Sequence, residues 1–333
     1  MTAASRSGFD RSVFSAARVL VTGATGFIGR WVAHQLSGVC DEVHLTVRDH
    51  GSSAERIFRE FRISGHAHRV DLSDFEAITR LVESIKPSIV FNLAGYGVDK
   101  SETDQQVAYR VNDQLVGAIA ESMAAYRDAN WPGLAVVHTG SALEYGEANG
   151  NLVETTEPKP TTLYGLSKLA GTRQLTAICR ERQLPGVTSR LFTVYGPGEH
   201  DGRLLPVLSA SRGDDQPIAL SQGLQKRDFT YVEDVAEGLL RLAAVPDVYG
   251  DVVNLATGRL TSVREFVEVV ADEWGIDRKR LSFGALPTRT EEMDHDPVSI
   301  DRMVELIGWS PRTTIREGAA RCAQFAESAK LQR

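Results

Sequence analysis

The run VLVTGATGFIG, residues 19–29, constrains this chain more than any other stretch. Val19, Leu20 and Val21 are apolar and lead straight into three glycines spaced three apart, Gly23, Gly26 and Gly29. A buried strand that enters a helix through such a turn is the junction at which α/β folds bind dinucleotides. The first glycine permits the tight turn, the second lets backbone approach a pyrophosphate, and the third lets helix and strand pack closely. The helix start offers free N–H groups and the positive end of its dipole to the phosphates. A glycine-rich turn without a ligand would share the spacing. Its place at the first strand–helix junction favours the dinucleotide.

The rest of the chain repeats that alternation. Apolar runs predict strands at Val19–Thr22, Val43–Val47, Ser88–Asn92, Leu134–Thr139 and Val187–Leu191. Helical patterns lie between them near Trp31–Leu36, Phe75–Ile85, Gln105–Tyr126 and Leu163–Arg182. Strands separated by helices predict a parallel sheet, and continuous apolar strands mean that both its faces are covered. The expected fold is α/β, a Rossmann-type doubly wound parallel sheet over residues 18–195, with parts of 225–260 returning to it. After Pro197 the segments YGPGEHDGRLLP, SQGLQKRDF and PTRTEEMDHDP are loop-like, and helical patterns recur at Val232–Ala244, Ser262–Trp274 and Thr314–Lys330. They predict a smaller substrate-binding lobe over 196–333. Residues 1–17 read as a frayed tail without the apolar core of a secretory signal.

Bulk properties narrow the function. The 333 residues carry a formal net charge of −7. No basic block is present, which argues against nucleic acid as a partner. No apolar run approaches the ~18 residues of a membrane span. Three scattered cysteines, Cys40, Cys179 and Cys322, fit a reducing cytoplasm and suggest neither a disulfide framework nor a metal site.

Two further features carry chemistry. The second strand ends VHLTVRDH, with Val47 where an acid would bind a ribose 2′-hydroxyl and repel a 2′-phosphate. Arg48 beside it can pair with that phosphate, so NADP(H) is expected rather than NAD(H); a solvated loop charge is the plain alternative, and Asp49 complicates the reading. Tyr164 and Lys168 stand four apart in TTLYGLSKLAGT, on one helix face. A cation near a phenol lowers its pKa and suits it to exchange protons with a carbinol oxygen. Taken alone, this spacing is common on structural helices.

In combination, these motifs resemble the extended short-chain dehydrogenase/reductases, the nucleotide-sugar epimerases, dehydratases and reductases. The resemblance runs from about Arg18 to Ala326 and includes VDLSD (70–74), NLAG (92–95), VND (111–113), RLFTVYGPG (190–198), KRDFTYVEDVA (226–236) and VVNLATG (252–258). It implies that Ser141, Tyr164 and Lys168 are catalytic. It also implies a cofactor held by Gly23, Thr25, Gly26, Phe27, Ile28 and Gly29, with Arg48, Asp71 and Leu72 around the adenosine. Leu93, Ala94, Gly95, Tyr164 and Lys168 would lie along the remainder. A nucleotide-sugar substrate would meet Tyr96, Val98, Ser141, Thr193, Arg203, Arg227 and Arg289, with the last two on the diphosphate and Lys100 at the rim. Thr193 departs from the family, which usually has Asn there. Members pair through the helices at 105–126 and 163–182, so a homodimer built on a four-helix bundle is expected.

The neighbours of Ser141 narrow the reaction. Dehydratases of this family follow the hydroxyl residue with an acid pair, and related decarboxylases place Glu two positions after it. This chain has Ala142 and Leu143, which cannot move protons. Glu144 comes one place later and, on a strand-like path, should face the other way. The 3,5-epimerases put Cys where Leu143 stands and His where Gly198 stands, while His200 is shifted. Two chemistries need only Ser, Tyr and Lys: NADPH-dependent reduction of a 4-keto sugar, and 4-epimerisation with tightly held NAD. Val47 and Arg48 favour the reductase, as do EYG (144–146), which resembles GDP-4-keto-6-deoxymannose reductases, and SALEYG with YGLSK, which resembles CDP-abequose-type 4-ketoreductases. A nucleotide sensor would not need the three catalytic residues together. A reductase of non-nucleotide ketones would not need Arg227 and Arg289.

Overall fold

The computed structural model describes residues 9–48, 51–99, 101–288 and 293–331. Seven strands form one parallel sheet. They are β1 (Arg18–Thr22), β2 (Glu42–Val47), β3 (His66–Arg69), β4 (Ile89–Asn92), β5 (Val136–Ser141), β6 (Gly186–Leu191) and, after four short strands in sequence, Tyr249–Leu255. The short strands are β7 (Thr193–Tyr195), β8 (Ile218–Leu220), β9 (Lys226–Arg227) and β10 (Phe229–Tyr231), so the seventh is β11. The order is β3-β2-β1-β4-β5-β6-β11. The chain reverses direction across the sheet between β1 and β4, and a doubly wound fold binds ligands beyond the strand ends at such a point.

Both faces are covered. Val19, Leu20, Val21, Ile89, Val90 and Phe91 are fully buried. Helices α1 (Phe27–Leu36), α2 (Ser52–Glu60), α3 (Phe75–Ile85), α4 (Gln105–Tyr109), α5 (Leu115–Tyr126), α6 (Leu163–Arg182), α7 (Leu204–Ala210) and α8 (Val232–Ala243) follow in order. One apolar core joins α1 and α8 to the sheet, and a second joins α3, α5 and α6 to its other face. Asp74 caps α3 and Thr162 caps α6, each accepting a backbone N–H of the first turn. β12 (Thr261–Ser262), α9 (Val263–Trp274), β13 (Leu281–Phe283), α10 (Asp301–Ile307) and α11 (Ile315–Leu331) complete the chain. A third core, with Tyr195, Tyr231, Phe266, Val270 and Trp274, lies among α7, α9, α11 and the short strands.

Several expectations need correction. The helix expected without a break over Gln105–Tyr126 is interrupted by a π turn at Arg110–Gln114. Gly171 of α6 packs there so closely that a Cβ would come 2.0 Å from the Asn112 carbonyl oxygen. Residues 9–17, read as part of a tail, are packed. Phe14 is fully buried and stacks on Trp131 at 5.5 Å, and Arg11 pairs with Glu237. The edge strand β3 was not expected, because HAHR has no apolar run and only one half-buried position. No helix among the described residues is long and apolar enough to cross a membrane.

Candidate active site

The glycine turn is built as a cradle. Gly23 has φ +67°, and a Cβ there would meet the Leu93 oxygen at 2.8 Å and the Ala94 nitrogen at 2.9 Å. A Cβ on Gly29 would lie 2.0 Å from the Gly23 oxygen, so this glycine allows α1 to seat against the turn. Gly26 is the N-cap of α1, and no side chain caps the helix. The first N–H groups of α1 are thus left for an anion. Phe27 and Ile28 are half-buried against the first core, while the Thr25 and Gly26 carbonyls accept from Arg30 at 2.8 and 3.1 Å. Leu93 and Ala94 follow β4 and border the same turn, and the next residue, Gly95, faces Lys168, whose Nζ would lie 3.4 Å from a Cβ there. These residues fit a dinucleotide.

Arg48 is exposed just beyond β2, and its charge reaches Asp71. The Asp71 carboxylate accepts from the Ser73 backbone and hydroxyl, bonds that hold its pKa below the ordinary carboxylate value. Leu72 is half-buried beside Phe75 in the second core. The neighbouring Asp49 lies outside the described residues, as do Lys100 and Arg289.

Ser141, Tyr164 and Lys168 come together where β5 ends against the first turns of α6. Lys168 is 2% exposed, donates to the Thr139 carbonyl at 2.9 Å, and lies 5.9 Å from the centre of the Tyr164 ring. Burial pushes its pKa down to about 8, and the Glu144 carboxylate pulls the other way. The Tyr164 ring lies against the loop at Gly97, whose φ is +100°. The phenol does not behave as its spacing from Lys168 suggested. Burial and then Glu144 push its pKa above the ordinary tyrosine value, and Arg203 and the Ser141 hydroxyl bring it down by less. Burial thus favours the protonated phenol.

Glu144 also departs from expectation. The strand stops at Ser141, and Ala142–Glu144 curl into a 3₁₀ turn capped by the Ser141 side chain. The turn swings the Glu144 carboxylate back to accept from the Ser141 N–H at 2.8 Å. Its other oxygen accepts from Arg190 at 2.9 Å, in an ion pair with both side chains almost fully buried. An acid held this way is not free to expel water from a sugar.

The remaining candidates spread around this centre. Tyr96 is held by Asn112, which accepts from its N–H at 3.0 Å and donates to its carbonyl at 2.7 Å. Asn112 also donates to Ser167 of α6, so the π turn clamps the β4 loop to the helix carrying Tyr164. Val98 is 41% exposed. Thr193 opens β7, its N–H donating to the Asp228 carbonyl, and Arg227 lies in β9 opposite Thr261. Arg203 precedes α7, 3.5 Å from the buried Glu199, whose pKa burial raises to about 7 against the pull of Arg203.

Sequence reasoning left Asn112, Arg190 and Glu199 without roles and set Glu144 aside. Arg190 did carry a signal: a guanidinium inside a strand with both faces covered must have a partner.

Comparison with known proteins decides the family. The model of the NAD dependent epimerase/dehydratase family matches residues 19–256. The chain belongs to this family. Among other family proteins, dTDP-6-deoxy-L-talose 4-dehydrogenase (NAD(P)(+)) of Kitasatospora kifunensis is 29% identical over 312 residues, covering 90% of this chain and 93% of that protein. dTDP-L-rhamnose 4-epimerase of Burkholderia thailandensis is 25% identical over 357 residues, covering 94% and 95%. The structure of MoeE5 with UDP-glucuronic acid and NAD is similar with a TM-score of 0.78 at 29% identity, covering 94% of this chain and 99% of that one. The chain is an enzyme of this nucleotide-sugar-modifying family, with its Rossmann-like fold.

Proposed function

We propose that the protein reduces the 4-keto group of a nucleoside-diphosphate 4-keto-6-deoxyhexose with NADPH. The observation that carries this reading is Arg48, exposed just beyond β2 with Val47 in place of an acid, on the sheet that brings Ser141, Tyr164 and Lys168 together. Reduction adds a hydride to the carbonyl carbon and a proton to its oxygen, so the enzyme must start with a proton donor. The relative named as a 4-dehydrogenase, with NAD(P)(+) in its name, supports chemistry at the same carbon.

In this account the bound cofactor supplies the hydride. Ser141 holds the carbonyl oxygen and Tyr164 protonates it. Lys168 keeps a positive charge near the phenol and fixes the nicotinamide ribose. Gly23, Gly26 and Gly29 seat the pyrophosphate on α1, and Arg203 and Arg227 face the substrate diphosphate or sugar. Arg48 pairs with the 2′-phosphate. Arg48→Ala should weaken NADPH binding by about ten- to a hundredfold while leaving NADH binding nearly unchanged, as loss of a bidentate phosphate pair requires. Equal losses in fluorescence titrations with the two cofactors would remove Arg48 from that role.

A second reading, NAD-dependent 4-epimerisation, is favoured by the relative named as a 4-epimerase and by the NAD in the MoeE5 structure. The nucleotide released on denaturing purified protein separates the two. Tightly held NAD in stoichiometric amount supports the epimerase. An empty site that takes up NADPH supports the reductase.

A further inference from the structure

We infer that Glu144 is a positioning residue for Ser141, Tyr164 and Lys168, acting through one carboxylate oxygen that ties the Ser141 turn to the helix carrying the other two. That oxygen, Oε1, accepts from the Ser141 N–H at 2.8 Å and from the Thr172 hydroxyl at 3.1 Å. Thr172 lies one turn beyond Lys168 on α6, as Tyr164 lies one turn before it, so the three form one stripe. A single oxygen thus fixes the strand end that presents Ser141 relative to the helix face that presents the phenol and the ammonium.

The surroundings are built for this carboxylate. A Cβ on Gly140 would fall 2.4 Å from Oε1, so only glycine leaves room for the carboxylate against β5. The second oxygen is held by Arg190, whose guanidinium lies 4.4 Å from the centre of the Tyr145 ring. The Tyr145 hydroxyl is anchored in turn to Asn254 at 2.8 Å and to the Val153 carbonyl at 3.1 Å. Burying an ion pair gains little stability over apolar residues of the same volume. Such a pair directly behind the reacting groups is better explained by what it orients.

Glu144 also acts through charge. The titratable groups facing Lys168 are Glu144 from the turn, His138 from β5 and Tyr164 from its own helix. Arg203 and Glu102 act on Tyr164 from the loops opposite. Burial holds His138 well below its ordinary pKa, with Lys168 adding to the effect, so His138 is neutral and contributes no charge. Glu144 is therefore the charge that opposes the effect of burial on the Lys168 ammonium, whose pKa burial brings down to about 8.

The inference rests on the proposed roles of Ser141, Tyr164 and Lys168, but not on the direction of the reaction. Two variants test it. Thr172→Val is close to isosteric and leaves the ion pair intact. It should lower kcat by roughly three- to tenfold, the equivalent of one hydrogen bond, with KM nearly unchanged and the melting temperature lowered by only about 2–4 °C. Glu144→Gln removes the charge, and the pH above which NADPH affinity falls should move down from about 8 as Lys168 loses its proton earlier. The binding titration needs no substrate. A wild type that turns over only 4-hydroxy sugars with NAD would sink the reductase reading and leave both comparisons standing, with NAD as the titrant. Wild-type kcat in Thr172→Val would overturn the tie, whether or not Glu144→Gln folds. A Glu144→Gln protein that is less stable but keeps the wild-type pH dependence would reduce Glu144 to a structural residue.

Discussion

Tyr164→Phe should lower kcat by about a hundred- to ten-thousandfold, the usual contribution of a placed proton donor. In barrier height this is about 3–5 kcal/mol. The ring itself should stay in place. It lies against the Gly97 loop, so close that a Cβ on that glycine would come 3.1 Å from it, and the phenylalanine ring can fill the same space. NADPH affinity should change by less than about threefold, because the phenol acts on the sugar oxygen and adds little to cofactor binding. Stopped-flow turnover and fluorescence titration of the same preparation separate the two quantities. A parallel loss of cofactor affinity would mean that Tyr164 holds the cofactor and does not donate the proton.

Arg190→Leu should destabilise the fold by about 3–5 kcal/mol. The wild-type pair has side-chain exposures of 3% and 0%, so the variant leaves the Glu144 charge buried without its cation. The Ser141 N–H and the Thr172 hydroxyl still donate to that carboxylate, but neither neutralises it. Replacing both partners, Glu144→Leu with Arg190→Leu, should recover much of the lost stability, since neither member of the pair is then left buried without the other, although Lys168 loses the carboxylate near it. Urea midpoints of the three proteins test this. A single variant within about 1 kcal/mol of wild type would contradict the view that Glu144 is left as an uncompensated buried charge.

The strands of the main sheet were legible where both faces are covered, because residues such as Val19–Val21 and Ile89–Phe91 must be apolar throughout. Helices α3 and α6 match the expected ranges Phe75–Ile85 and Leu163–Arg182, each opened by a side-chain cap. The edge strand β3 left no such trace, since His66 and His68 need not be apolar at the rim of the sheet. The short strands of the third core are two or three residues long, below the length at which alternation can be read.

The geometry of the candidate site was only partly legible. Glycine spacing pointed to the cradle, and the distance along α6 pointed to Tyr164 and Lys168 sharing a face. Nothing in SALEYG shows that the strand ends at Ser141. A strand reading therefore aims Glu144 away, while a 3₁₀ turn aims it back at the Ser141 N–H. The pKa of Tyr164 could not be read from its spacing to Lys168 either. Burial and Glu144 come from the tertiary fold and outweigh the effects that lower it.

The most direct test of the central claim follows one hydride. The protein is supplied with a nucleoside-diphosphate 4-keto-6-deoxyhexose and NADPH carrying deuterium at C4 of the nicotinamide, on the face that is transferred. Sugar and cofactor should be consumed one for one, with deuterium at sugar C4 alone and no water eliminated. Interconversion of 4-hydroxy nucleotide sugars without net use of NADPH would contradict the account and establish the epimerase.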